Sequence, residues 1–178
     1  MKNIYLFKEY NENYTNSNFY DRNEYIIDRI NNYYNSDNLK FNYIETILDD
    51  YDFSLSSFYY EESNVLVSSV DVNYVNRSRD LLQKIYKVVN YLLTHGADKY
   101  IDSTNGNDTA LTVAAYWGYL IVIELLIDYG ANIYQKDDDG KGILDFETHH
   151  LVKDFMKQNY PDLYKKLMRD KMANNFNI

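Results

Sequence analysis

Cysteine is absent from the 178 residues. That excludes disulfides, thiolate zinc sites, iron–sulfur clusters and a cysteine nucleophile together, and it fits a reducing compartment. Proline occurs once and glycine six times, too rarely for a low-complexity linker protein. Histidine is limited to His95, His149 and His150. His149 and His150 are adjacent, so on a helix they point about 100° apart and do not readily share a metal; no H-E-x-x-H occurs. Positive charge is short: 18 basic residues face 27 acidic ones, a net charge of −9. This balance argues against a general nucleic-acid or anionic-membrane binder. The most apolar window, Leu111 to Ile127, contains Gly118 and Glu124 and is short and interrupted for a membrane span. Met1 to Tyr10 carries Lys2, Lys8 and Glu9 and lacks the long apolar stretch of a signal peptide.

What is present is apolar material, at 46%, enough for one core. There are 21 tyrosines and 22 asparagines. Aromatics at 17% are too many for a disordered chain. The plain reading of this composition is an AT-rich genome.

One internal repeat stands out. Val88-Val89-Asn90-Tyr91-Leu92-Leu93-Thr94-His95-Gly96-Ala97-Asp98 recurs as Val122-Ile123-Glu124-Leu125-Leu126-Ile127-Asp128-Tyr129-Gly130-Ala131-Asn132. Each copy is an apolar run followed by a glycine suited to a left-handed helix end. Turn segments follow, with Thr109 placed to cap a helix in which Leu111, Ala114 and Ala115 share a face. Gly118 ends that helix, and Val122, Leu125 and Leu126 stripe the next. The apolar stripes are too narrow to form a core alone, so the units must stack on one another.

The stretch Asn105-Gly106-Asn107-Asp108-Thr109-Ala110-Leu111-Thr112-Val113-Ala114-Ala115-Tyr116-Trp117-Gly118 resembles the ankyrin-repeat pattern, and Leu125-Leu126 through Gly130-Ala131-Asn132 resembles its ending. Ala110 stands in place of the usual proline and Thr112 in place of the histidine. The turn before Thr109 is one residue long for the pattern. The resemblance implies an all-α, short ankyrin-repeat solenoid with degenerate terminal repeats. Its register extends from Ile44–Tyr51, an earlier remnant, through Ser63–Asp98, with an insertion around Asp71 to Gln83. It ends in a shortened last unit, Gly142 to Lys157, in which Gly142 takes the capping position. Glu24 to Asn35 reads as an amphipathic helix and a first outer layer. The expected division is an N-terminal arm over 1–22, without repeat signal, and a solenoid with a C-terminal helical cap over 23–178. The asparagine- and tyrosine-rich style resembles ankyrin-repeat proteins of large DNA viruses, which implies an intracellular protein of the host cytoplasm.

No chemistry competes with this reading. Asp137-Asp138-Asp139-Gly140 fails the EF-hand pattern, because Gln135 and Phe146 stand at ligand positions. Neither a Walker A motif nor G-x-S-x-G occurs. No catalytic residue, metal ligand or cofactor is expected. The three N-x-[ST] triplets are chance matches in so asparagine-rich a chain. The tail from Thr148 carries six basic residues against three acids, the signature of a solvated helix face or a docking surface for an acidic partner.

The expected function is a non-enzymatic protein-binding module that presents a concave face to an unidentified protein partner. Ser103, Thr104, Asn107, Tyr116, Trp117, Tyr134, Asp137 and Asp138 are the expected partner contacts. Tyr116 and Trp117 fall on variable positions that, by the resemblance, face the partner, and aromatic residues are favoured interface anchors. The competing reading packs Trp117 on the inserted loop or on a neighbouring repeat. Three further classes stay open: an adaptor recruiting a host ubiquitin ligase, for which Gln158 to Ile178 offers no known helical box; a structural protein that is monomeric or weakly self-associating; and, ranked last, an enzyme.

Overall fold

The computed structural model describes residues 19–49, 64–72, 78–106, 108–137 and 139–176. Within them lie eight α-helices and one two-stranded ribbon. The helices are α1 (Phe19–Asn35), α2 (Phe41–Asp49), α3 (Val65–Val70), α4 (Arg79–Thr94), α5 (Ala110–Trp117), α6 (Leu120–Asp128), α7 (His149–Asn159) and α8 (Pro161–Phe176). Strand β1 (Thr104–Asn105) pairs antiparallel with β2 (Asp108–Thr109), Thr104 opposite Thr109.

The helices stack in two rows. One row runs α1, α3, α5; the second runs α2, α4, α6; and successive helices of each row touch. Helix α7 packs on α5 and α6, and α8 packs on α7. This all-α stack is the expected solenoid, and each helix explains its own place in it. In α1, Asn23, Ile26, Ile30, Tyr33 and Tyr34 are buried, a stripe at intervals of three and four. The Tyr34 hydroxyl donates to the Ser69 carbonyl of α3 across 2.9 Å. Helix α3 is buried at every position but Ser68, and its buried Ser69 hydroxyl donates to the Leu66 carbonyl at 2.7 Å.

The central unit is the most regular. Thr109 and Thr112 form a reciprocal cap at the start of α5: the Thr112 N–H donates to Thr109 Oγ1 (3.2 Å) and the Thr109 N–H to Thr112 Oγ1 (2.9 Å). Both residues are buried, so these bonds satisfy donors that water does not reach. Gly118 takes φ +72°, and the Tyr119 N–H reaches back to the Ala114 carbonyl (2.9 Å). The same closure recurs at Gly130, φ +90°, where the Ala131 N–H meets Leu126 (3.0 Å). Both are left-handed helix ends that glycine adopts without a Cβ penalty.

The flanking units depart from the expected register in ways the side chains explain. The cap of α3 is Asn64, one residue beyond Ser63, and its side chain accepts from the Val67 N–H at 3.1 Å. The insertion is also not all loop. From Arg79 it is the first turns of α4, opened by the Ser78 cap. Lys84 in these turns donates to the Ser36 carbonyl (2.9 Å) and pairs with Asp80 (3.1 Å), which fastens α4 to the end of α1. Helix α1 begins at Phe19, inside the stretch read as an arm; the rest of that arm lies outside the described residues. In the last unit no helix forms between Gly142 and Thr148. Asp145 nonetheless accepts from the Gly142 N–H at 2.9 Å, the same contact that Thr112 makes with Thr109. Ile143, Leu144 and Phe146 stay buried, so turns deliver the side chains that a helix would otherwise carry. Tyrosine also contributes to the core: Tyr33, Tyr34, Tyr91 and Tyr119 are buried.

Candidate functional site

A groove of about 310 Å³ lies where the row of α3 and α5 meets the turns that project from it. Its floor is Val113 and Tyr116 of α5, with Phe146 from the last unit. Its walls are Asp71 at the end of α3, Asp108 of β2, and Asp137, Asp139 and Lys141 of the second turn. Each wall residue is placed by backbone structure. Asp137 Oδ1 accepts from the Lys141 N–H (2.7 Å), and the Asp137 N–H donates to the Lys141 carbonyl (3.0 Å), which closes the turn. Lys141 Nζ pairs with Asp139 at 3.0 Å. Accepting that bond, Asp139 raises the Lys141 pKa above its ordinary value, and the charge of Asp137 adds to the effect.

The aromatic pair divides between two jobs. Tyr116 is 53% exposed and stands edge-on to Trp117 (centroids 4.8 Å apart) and to Phe146 (5.8 Å). Trp117 is half-buried against the core, and its Nε1–H donates to Asp71 Oδ1 at 3.1 Å. The indole thus joins the central unit to the first residue of the insertion. Of the two readings open for Trp117, the packed one describes its surroundings. Losing Tyr116 and Trp117 together would therefore disturb packing as well as the surface.

Of the other expected contacts, Asp137 shares the groove with Tyr116. Ser103 and Thr104 are half-buried at the base of the β1–β2 ribbon, and the Ser103 N–H donates to the Tyr100 carbonyl (2.9 Å); neither lines the groove. Tyr134, 40% exposed, lies in a second crease of about 430 Å³ between the last turn and α8. There Lys166 Nζ sits 4.9 Å from its ring centre. Lys171 of α8 bonds Asp145 in the same crease. Burial alone would raise the Asp145 pKa, but the bonds from Lys171 and the Gly142 N–H outweigh it and hold the carboxyl below its ordinary value. Asn107 and Asp138 lie outside the described residues.

Asp71, Asp108, Asp139, Lys141 and Phe146 were not among the expected contacts. Asp71 had a legible signal. Counted from Asn64, it occupies the place that Tyr116 occupies counted from Thr109; counted from Ser63, that place falls on Val70. Phe146 had none, because it arrives by turns where the pattern has a helix.

Among the described residues, no group of three or more His, Asp or Glu side chains is arranged to hold a metal ion, and no helix is long and apolar enough to cross a membrane. No curated protein and no solved structure matches the chain. The family model described as ankyrin repeats (3 copies) matches residues 81–137, from the first core leucine of α4 to the carboxylate at the groove's edge. Together with the two-row stack and the glycine closures at Gly118 and Gly130, this match shows that residues 81–137 of the chain carry ankyrin repeats.

Proposed function

We propose that this protein is a non-enzymatic binding module and that its partner, another protein, docks in the groove beside Tyr116. Ankyrin repeats generally mediate protein–protein interactions. The observation that carries the reading here is the exposure of Tyr116 at 53%, on a helix whose first six residues are buried. A large aromatic ring left open on a rigid floor is the kind of anchor that dominates interfaces. The shape needs no rearrangement to be used, because capped helices and closed turns hold it. The proposed contacts are Tyr116 and Asp137 in the groove, with Ser103 and Thr104 at the base of the β1–β2 ribbon; Asn107 and Asp138 complete the proposed set. Trp117 supports Tyr116 from behind, and Tyr134 is shared with α8. Residues 23–178 are proposed as one stacked unit with α7 and α8 as its C-terminal cap.

The test is affinity capture from the native cell by the full chain and by its Tyr116→Leu variant. A protein held by the first and lost by the second, at unchanged helicity, supports the reading. A partner bound equally by both places the interface elsewhere. An adaptor role would show as a ubiquitin ligase among the captured proteins. Self-association would show as light scattering that rises with concentration.

A further inference from the structure

We infer that the groove beside Tyr116 receives an extended, arginine-bearing segment of the partner, with a guanidinium laid on the tyrosine ring and held by the aspartates of the walls. The inference rests on the reading of this groove as the docking surface and adds the chemistry of what docks there. Two features carry it. The first is charge: among the described residues, the lining carries the carboxylates of Asp71, Asp108, Asp137 and Asp139 and the ammonium of Lys141. That ammonium is already paired with Asp139. A concave surface lined mainly by one sign of charge raises the local concentration of cations.

The second feature is the floor. Tyr116 offers an exposed ring between the carboxylates, with the buried Phe146 edge-on to it, and a cation over an aromatic face is attracted by the ring's quadrupole. Arginine satisfies both features at once. Its guanidinium is planar, stacks on aromatic rings, carries donors in a fork that fits carboxylates, and is more weakly hydrated than an ammonium. A lysine is a strongly hydrated point charge and exploits the ring less well. The turns that form the walls leave a slot rather than a closed pocket, which suits a stretched backbone better than a small molecule.

The experiment titrates the isotopically labelled full chain with three peptides of equal length: arginine alternating with serine, glutamine with serine, and aspartate with serine. Amide shifts locate binding and calorimetry measures it. The arginine peptide is expected to bind saturably, to move the amides of Asp71, Val113, Tyr116 and Asp137, and to weaken as salt is raised. Tyr116→Phe keeps the ring and is expected to keep the affinity. Tyr116→Leu is expected to lose about two- to fivefold. Asp71→Asn with Asp137→Asn keeps the oxygen acceptors that Trp117 and Lys141 use, and is expected to lose about fivefold.

Equal binding of the glutamine peptide overturns the inference. So does the absence of saturable binding by the arginine peptide, or a response confined to Glu45 and Asp49 of α2. Self-association abolished by Lys165→Gln with Arg169→Gln also overturns it, since a second copy's tail would then be the occupant. A protein partner that depends on Tyr116 while the arginine peptide fails would refute the cationic chemistry and leave the docking surface standing.

Discussion

Replacing Gly118 and Gly130 by alanine separates two costs that usually come together. Both glycines have left-handed backbones, φ +72° and +90°, so each alanine carries the same conformational penalty of about 1–2 kcal/mol. Their surroundings differ. A Cβ on Gly130 would meet nothing within 4 Å, whereas a Cβ on Gly118 would lie 3.3 Å from Thr148 Cγ2 and 3.4 Å from Thr148 Cβ. Thr148 has little freedom to yield, because its hydroxyl donates to the Ala115 carbonyl at 2.5 Å. Displacing it forfeits a further hydrogen bond of about 0.5–1.5 kcal/mol. The expected losses are therefore about 1–2 kcal/mol for Gly130→Ala and about 1.5–3.5 kcal/mol for Gly118→Ala. Urea unfolding followed by far-ultraviolet circular dichroism measures both. A cycle with Thr148→Ala isolates the crowding: the double variant should cost less than the sum of the singles. Equal losses at the two glycines, or strict additivity in the cycle, would refute the argument that α7 is seated against the α5–α6 turn through Thr148.

Thr112→Val keeps the shape of a fully buried side chain but leaves the buried Thr109 N–H without its acceptor; a loss of about 1–3 kcal/mol is expected in urea unfolding, with Thr112→Ser recovering part of it. Trp117→Phe removes the Nε1–H bond to Asp71 and should cost about 0.5–1.5 kcal/mol, while Tyr116→Leu should stay within about 0.5 kcal/mol of the parent; the opposite order would reverse the roles assigned to the pair. Asp145 has a depressed pKa in the folded state, so its stabilising contribution is present above the ordinary carboxylate value of 3.8 and is lost as pH falls through the lower folded value. Lys171→Met should therefore lower the urea midpoint slightly at neutral pH, since the pair is partly exposed, and the gap should close in acid; a gap that persists there would assign the effect to packing.

The central unit was legible because its residues obey local rules. Glycines close both helices, threonine caps α5, and the apolar positions fall on one stripe. The flanking units were harder to read because tertiary packing replaces local signals there. Helix α3 is short and buried at all but one position, so its register rests on one capping residue, and an asparagine beside a serine leaves two choices. The contact that settles it, the Val67 N–H to Asn64, has no periodicity. In the last unit, Asp145 reproduces the threonine contact with different chemistry, and Phe146 reaches the groove from a turn. The groove's aromatic residue was visible in the sequence, whereas most of its walls were not. Asp71, Asp108 and Asp139 are ordinary turn and helix-end residues, made neighbours of Tyr116 only by stacking.

The indole at position 117 also gives the protein an optical property. It is the only tryptophan, against 21 tyrosines, so excitation absorbed by the phenols drains by resonance transfer toward a single emitter. That emitter sits at the seam between the inserted unit and the central one, edge-on to Tyr116 and donating to Asp71. Its emission colour and lifetime therefore report on this seam. Parting of the two units would wet the ring and shift its light to the red. A molecule settling beside Tyr116 would alter the intensity without that shift, so the unlabelled native chain distinguishes opening from occupancy.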